Sequence, residues 1–241
     1  MQFDDHPAMN YINLYESVDR RDFMERQFKD YGITKYKVYN ARRYEEYKES
    51  CVVSGRFVDE VNHHGTNITL LRCIKHWLDT TNEDYGIFLE DDTSFETSKY
   101  WSFTWSEFVR SLPENWEVVQ IIRLNDWGDG RIAILSCRLR NWDDWGATCI
   151  MTRAYAQKLI EAYMISDNEF IFDIVGTNLM PIAENLLFCL GHCMNVPLVV
   201  EGDLPSTYYR GHDPIHDHSR TQYAALWAAT GKSVKVSDLF I

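Results

Sequence analysis

Residues 9–39 of the chain read MNYINLYESVDRRDFMERQFKDYGITKYKVY, and the pattern in this stretch decides the fold class. The apolar run Met9–Leu14 predicts a strand, and Ser17 is a capping residue for the helix that follows. Apolar residues then recur at helical spacing until Gly32, where the helix is expected to end. Residues 36–39 predict a second strand. A strand, a helix and a strand in succession favour a parallel sheet with crossover helices, so we expect an α/β fold.

Later segments continue this alternation of strands and helices. Short apolar runs predict strands at residues 85–89, 118–122, 147–151 and 195–201. Helices are predicted after a cap at Thr66 or Asn67, across residues 100–109, from Arg153 to about Tyr163 after a cap at Thr152, and near residues 223–229. This order indicates one domain spanning residues 1–241, with a mostly parallel central sheet flanked by helices.

Composition limits the classes of function. The chain has 241 residues, of which 45% are hydrophobic, enough for a substantial core. Its formal net charge of -12 argues against binding to a nucleic acid backbone. No apolar run approaches the roughly 20 residues of a membrane span, and residues 1–10 lack the basic and apolar parts of a signal peptide. We therefore expect a cytoplasmic protein with neither a membrane span nor a nucleic-acid partner.

Three consecutive acids, Glu90-Asp91-Asp92, follow the predicted strand at residues 85–89. Ligands of open α/β sheets bind at the carboxyl ends of the strands. Adjacent carboxylates repel one another, so the run is costly unless a cation or a basic partner compensates it. Mg²⁺ and Mn²⁺ prefer such oxygen ligands, especially when substrate phosphates complete their shell. The run therefore predicts a metal-assisted phosphate site, with a solvated strand end or a helix cap as the alternative.

Several segments occur together in an order and spacing that is typical of a known family. They are Tyr11-Ile12-Asn13-Leu14, Asp19-Arg20-Arg21, Gly32-Ile33, Gly86 to Asp92, Trp145-Gly146-Ala147-Thr148 and Thr152 to Ala156. In this arrangement the chain resembles the family 25 glycosyltransferases, which include lipopolysaccharide galactosyltransferases and collagen glycosyltransferases. The resemblance covers roughly residues 9–159. It implies a GT-A fold, a nucleotide-sugar donor and inversion at the anomeric carbon.

The resemblance also implies roles for residues of the donor site. Asn13, at the end of the first strand, would lie near the nucleobase. Arg20 would approach the base or the phosphates, because its guanidinium is planar and always charged; a helix-surface arginine is the alternative. Glu90 would lie near the ribose, and Asp92 would be the principal metal ligand, with Asp91 between them in the donor site.

A second metal ligand is expected from the late part of the chain, as in many GT-A enzymes. Residues 211–218 read GHDPIHDH and offer imidazoles beside carboxylates. Imidazole suits Mn²⁺ better than Mg²⁺. We favour His212, with His218 next, so that residues 202–241, a loop and a short helix, would complete the donor and metal site. The alternative is an acidic surface loop with incidental histidines.

An inverting transfer needs a general base for the acceptor hydroxyl. Asp144 lies between Trp142 and Trp145, which could stack on a sugar ring. Asp173 follows an apolar run, and burial makes a carboxylate a better proton acceptor. We expect one of these two acids, with a slight preference for Asp173, to be the base. A helix cap or a turn residue is the alternative for each.

The sequence therefore favours a metal-dependent enzyme that transfers a sugar from a UDP-sugar to a glycan or another hydroxyl acceptor, with Mn²⁺ or Mg²⁺ as cofactor. UDP is preferred by analogy with other GT-A enzymes that carry an acidic metal motif. A metal-dependent nucleotidyltransferase is a second possibility, although residues 11–19 lack a glycine-rich phosphate loop. A non-catalytic sugar-binding protein on the same fold is a third.

Overall fold

A computed structural model describes residues 2–55, 61–124, 132, 135–137, 146–174, 179–205 and 214–239 of the chain. Within these ranges, no helix is both long enough and apolar enough to cross a bilayer.

The described part contains twelve strands and seven α-helices. The strands are β1 Met9–Leu14, β2 Tyr36–Ala41, β3 Val52–Ser54, β4 Tyr85–Glu90, β5 Thr93–Ser94, β6 Val118–Gln120, β7 Leu135–Cys137, β8 Cys149–Thr152, β9 Met164–Ser166, β10 Glu169–Ile171, β11 Cys193–Asn195 and β12 Val200–Glu201. The helices are α1 Val18–Asp30, α2 Tyr44–Tyr47, α3 Val61–Thr80, α4 Trp105–Ser111, α5 Arg153–Tyr163, α6 Ala183–Phe188 and α7 Pro214–Thr230. Short 3-10 helices cover Glu96–Tyr100, Gly231–Ser233 and Val236–Leu239.

Seven of the strands form the central sheet, in the order β2-β1-β4-β8-β6-β11-β7. β1, β2, β4, β6 and β11 run in one direction, whereas β8 and β7 run in the other. The prediction of an α/β fold with a mostly parallel central sheet is thus confirmed. Two small sheets, β3-β10-β9 and β12-β5, flank it.

Helices cover both faces of the sheet because side chains along each strand alternate between two cores. In β4, Ile87 and Leu89 belong to a cluster that includes Phe28 of α1, whereas Phe88 belongs to a second cluster that includes Trp77 of α3. The first core also contains residues of α4 and α7, and the second contains residues of α5 and α6. The molecule therefore has three layers, with the sheet in the middle.

The early elements and α5 match the sequence prediction closely. β1 has the predicted bounds, α1 begins directly after Ser17, and Gly32 follows α1 with a positive φ of 69°. Thr152 caps α5, because its side chain accepts a hydrogen bond from the backbone N–H of Tyr155 at 3.2 Å.

Four predictions of element bounds are wrong, and the first concerns the start of α3. α3 begins at Val61, so Thr66 and Asn67 lie inside the helix and not at its cap. Asn67 is buried there, and its side-chain amide donates to the carbonyl of Pro181 at 2.5 Å. Gly65 brings this helix against the backbone after β2, where a Cβ would lie 2.6 Å from the carbonyl oxygen of Arg42. The glycine therefore marks a close approach inside the helix and not its start.

The predicted strand at residues 195–201 is divided into β11 and β12, because Pro197 between them cannot donate to a strand ladder. Residues 100–109 are not one helix, since Thr104 caps α4 after a break in extended conformation. The short helix predicted near residues 223–229 is the second half of the 17-residue helix α7. The prediction of a single domain stays a prediction.

Candidate functional site

The register of β1 against β4 brings Asn13 to the acidic run. Ile12 pairs with Glu90 in the parallel ladder, so the next residues, Asn13 and Asp91, are also neighbours. The side-chain amide of Asn13 donates to Asp91 Oδ2 at 2.7 Å and to the carbonyl of Ser17 at 3.1 Å. Both Asn13 and Asp91 are buried. Asn13 thus links the end of β1, the acidic run and the start of α1.

Arg20, in the first turn of α1, bridges two carboxylates. Its Nε donates to Asp91 Oδ1 at 2.6 Å, and its Nη2 donates to Asp92 Oδ2. Nη1 donates to the carbonyl of Pro205 at 3.0 Å. The side chains of Arg20, Asp91 and Asp92 are only 10%, 11% and 16% exposed, so these are buried ion pairs and not surface contacts. Arg20 is the basic partner that the acidic run requires.

The backbone after the acidic run is held by the last strand. The N–H of Gly202 donates to the carbonyl of Asp92 at 2.6 Å, directly beside the β5–β12 ladder. A Cβ at position 202 would lie 2.5 Å from the ring of Phe23, so the close approach requires glycine. Asp92 Oδ1 accepts no hydrogen bond from the described residues. One carboxylate oxygen of this well-fixed residue is therefore open.

The side chain of Glu90 lies on the other face of the sheet from Arg20, where the carboxylate of Glu184 is nearby. Glu90 Oε2 accepts from the N–H of Ala147 at 2.7 Å, and Glu184 Oε1 accepts from the adjacent N–H of Gly146 at 2.9 Å. Burial raises the pKa of Glu90 well above its ordinary value, and the nearby charges of Asp92 and Glu184 raise it further. A neutral Glu90 would be a hydrogen-bond donor at this edge of the sheet.

Two more groups adjoin the acidic run from the C-terminal side. His216 Nδ1 lies 2.9 Å from Glu201 Oε2. Burial raises the pKa of Glu201 and the charge of Asp92 adds to this, although the hydrogen bond from His216 opposes it. Burial likewise raises the pKa of Asp91, while Arg20 opposes the shift. Burial is the largest cause of the three raised pKa values, and the charge of Asp92 adds to each of them.

Of the two late metal ligands that the sequence predicts, the structure describes only His218. His218 is exposed, and His216 is the histidine of α7 that reaches the carboxylate of Glu201. Residues two apart on a helix point about 200° away from each other, so both cannot face the same site. Proline is favoured in the first turn of a helix, and Pro214 was the available signal that this segment is helical. His212 lies outside the described residues.

Of the two predicted bases, only Asp173 can be located, because Asp144 also lies outside the described residues. Asp173 follows β10 and is partly buried, with its carboxylate beside the backbone of Gly55. The neighbouring Phe172 packs against His64 of α3, 5.2 Å between ring centroids. Asp173 is thus on the same side of the sheet as Glu90, but the structure gives it a different set of neighbours.

Glu184 and Glu201 are the acids that sequence reasoning missed. Neither lies in a motif: Glu184 is in the first turn of α6, and Glu201 ends β12. Glu201 closes the last predicted strand at the carboxyl end of the sheet, so the argument that selected Glu90 could have selected it as well. No local pattern marks Glu184.

Among the described residues, no group of three or more His, Cys, Asp or Glu side chains could by itself hold a metal ion. The donor set nevertheless fits a hard cation whose shell is completed by a substrate. Asp92 Oδ1 is open, and Asn13 Oδ1 is a buried acceptor with no donor in the described part of the chain. Mg²⁺ and Mn²⁺ are commonly held by one or two carboxylates together with substrate phosphates.

No protein-family model matches the chain, and no curated protein is significantly similar to it.

Proposed function

We propose that this protein is a metal-dependent glycosyltransferase of the GT-A type. It would transfer a sugar from a UDP-sugar to a glycan or another hydroxyl acceptor, with inversion at the anomeric carbon. One observation carries the proposal: three acids end a central strand at the edge where α/β sheets bind ligands, and Arg20 and Asn13 are bonded to them.

Each group of the site has a part in this proposal. Mn²⁺ or Mg²⁺ would act as a Lewis acid for the departing nucleoside diphosphate, with Asp92 as its principal protein ligand. Asn13 Oδ1, buried without a donor, offers an acceptor to the nucleobase. Glu90, whose raised pKa favours the neutral acid, can donate to a ribose hydroxyl. Arg20 supplies a guanidinium that matches phosphate oxygens.

The general base is proposed among three carboxylates, of which the described Asp173 and Glu184 lie on the α3 side of the sheet. Asp173 and Asp144 stay candidates, and Glu184 joins them because it lies beside Glu90. A base variant should lose sugar transfer by about 100-fold or more while keeping nucleotide binding. Asp173→Asn, Asp144→Asn and Glu184→Gln preserve side-chain size, so the variant that loses transfer alone identifies the base.

The first test is donor breakdown without an acceptor, since a glycosyltransferase can hydrolyse its donor with water. The protein is incubated with UDP-, GDP- and CMP-sugars, with Mn²⁺ or with a chelator, and nucleotide release is measured. We expect release from a UDP-sugar only with the metal. Asp92→Asn should lower it by at least about 100-fold, because several kcal/mol of charge stabilisation are lost.

The matched control is Asp79→Asn, at the far end of α3, where the exposed carboxylate pairs with Lys75. It should leave release unchanged. If no nucleotide-sugar is consumed and no nucleotide with metal raises the melting temperature, the protein is not a glycosyltransferase. Stabilisation by a UDP-sugar without its consumption would instead support the non-catalytic sugar-binding alternative.

A further inference from the structure

The guanidinium of Arg20 sits where a divalent cation would find its carboxylates. Its Nε and Nη2 engage one oxygen each of Asp91 and Asp92, and Nη1 is tied to the carbonyl of Pro205. Asn13 takes the second oxygen of Asp91. Both oxygens of Asp91 are therefore in use, and only Oδ1 of Asp92 is open among the described contacts.

The charge at this point favours a cation. Asp92 acts electrostatically on Glu90, Asp91 and Glu201. Among the described residues, Arg20 pairs with Asp91 and Asp92, and His216 lies beside Glu201. Arg20 carries one positive charge and His216 adds another only if it is protonated, so ionisation of all four carboxyl groups leaves an excess of negative charge. In a buried setting such an excess is strongly destabilising unless a cation neutralises it.

A divalent cation and Arg20 compete for Asp92. Metal coordination takes a carboxylate oxygen at about 2.1 Å, which brings a doubly charged ion beside the guanidinium. A divalent cation and a guanidinium that share one buried carboxylate repel each other strongly. The metal can bind well only if Arg20 moves away from Asp92 or gains an anionic partner of its own.

We propose that Arg20 is an internal counter-ion that occupies the acidic run in the resting protein and gives up Asp92 when a divalent cation arrives together with the donor's diphosphate. This inference rests on the proposed function for the identity of the diphosphate. Arg20 would then bind phosphate oxygens, with which guanidinium forms paired hydrogen bonds. The metal and the nucleotide should consequently bind with strong mutual dependence, since each relieves the charge that the other creates.

The test measures Mn²⁺ binding directly, by the loss of the free-ion signal in electron paramagnetic resonance, with and without UDP. Without nucleotide, Arg20→Gln should bind Mn²⁺ at least about tenfold more tightly than the wild type, because the competing cation is gone. Addition of UDP should strengthen Mn²⁺ binding by the wild type and have a much smaller effect on the variant. Arg26→Gln, an exposed position on the same helix, is the control and should behave as the wild type.

Thermal unfolding provides a second readout. Removal of Arg20 takes the cationic partner from two buried carboxylates, so Arg20→Gln should melt at a lower temperature than the wild type in chelator, and Mn²⁺ should restore most of the loss. If the variant does not fold in chelator, refolding with Mn²⁺ should recover it. If Mn²⁺ does not recover the folded Arg20→Gln variant, Arg20→Lys takes its place. The point charge of lysine cannot bridge both carboxylates, so Arg20→Lys should also bind Mn²⁺ more tightly than the wild type, although by a smaller factor than a neutral residue.

The inference is overturned if the folded Arg20 variants bind Mn²⁺ only as tightly as the wild type, or more weakly. Arg20 would then support the site and not compete for it. The inference and the proposed function fail separately. A gain in Mn²⁺ affinity without consumption of any nucleotide-sugar would keep the counter-ion and refute the transferase. Metal-dependent release of nucleotide from a UDP-sugar, with no gain in Mn²⁺ affinity in the Arg20 variants, would support the transferase and refute the counter-ion.

Discussion

At the scale of single residues, the site contains more carboxyl groups than nearby positive charges. Glu90 is the clearest case, because burial and then the charges of Asp92 and Glu184 raise its pKa. The only described hydrogen-bond partner of its carboxyl group is the N–H of Ala147 at 2.7 Å. Ionisation of Glu90 therefore costs more in the folded protein than in the unfolded chain.

The raised pKa of Glu90 predicts how the stability of the protein changes with pH. An acid whose pKa is raised by folding contributes its full stability below its unfolded pKa, about 4.3, and loses it as the pH rises through the folded value. In chelator, the free energy of unfolding of the wild type should fall from about pH 5 to pH 8. Glu90→Gln should flatten this slope and be more stable at pH 8 by about 1 kcal/mol or more, measured by urea denaturation.

The control for this prediction is Glu161→Gln, on the exposed face of α5, which should leave the slope of the wild type unchanged. Asp91 and Glu201 should contribute to the pH slope of both variants, because burial raises the pKa of these groups too. A Glu90→Gln slope equal to that of the wild type would mean that Glu90 is already ionised at neutral pH in the folded protein.

At the scale of elements, local signals fixed some helix ends and misled at others. Thr152 caps α5 through the N–H of Tyr155, as its position before an apolar periodic run predicts. Ser17 precedes α1 in the same way, but its side chain makes no capping hydrogen bond. Asn13 instead holds the carbonyl of Ser17, so the start of α1 is fixed by the site and not by its own cap.

This difference between two similar sequence signals is testable. Thr152→Ala should lower the free energy of unfolding by about 1 kcal/mol, the usual cost of losing an N-cap side chain. Ser17→Ala should cost clearly less, because no capping hydrogen bond is lost. Chemical denaturation of the two variants beside the wild type measures both. Equal losses would show that Ser17 caps α1 in solution.

At the scale of the whole molecule, the C-terminal helix is part of the core. Trp227 of α7 is fully buried, and its Nε1 donates to the carbonyl of Pro197 at 2.6 Å. Its ring lies 6.2 Å from those of Trp101 and Phe103. The last part of the chain thus completes one hydrophobic layer as well as carrying His216, so it is not only a loop that closes a ligand site.

Removal of this anchor should therefore affect global stability. Trp227→Ala should lower the free energy of unfolding by about 3–5 kcal/mol, through lost burial and the cavity that remains. Thr221→Ala, at an exposed position of the same helix, should change it by no more than about 0.5 kcal/mol. Urea denaturation followed by far-UV circular dichroism measures both. A small effect at Trp227 would indicate that α7 docks late and contributes little to the core.

The sequence by itself determined the features that depend on near neighbours in the chain. Periodicity and turn residues were sufficient for β1, α1 and α5, for the order of strands and helices, and for an acidic run at the end of β4. They were insufficient for α2, β3 and α6, which have six residues or fewer and too few turns of pattern to be recognised.

Only the tertiary structure decided which side chains meet. Arg20 and Asp92 are 72 positions apart, and Glu184 reaches the amide of Gly146 from 38 positions away. Such pairs depend on strand register and on the face that a helix presents, and a rotation of one residue on a helix moves a side chain by about 100°. His216 and not His218 contacts Glu201 for that reason. Local sequence patterns carry no information about these angles, because packing of the three layers sets them.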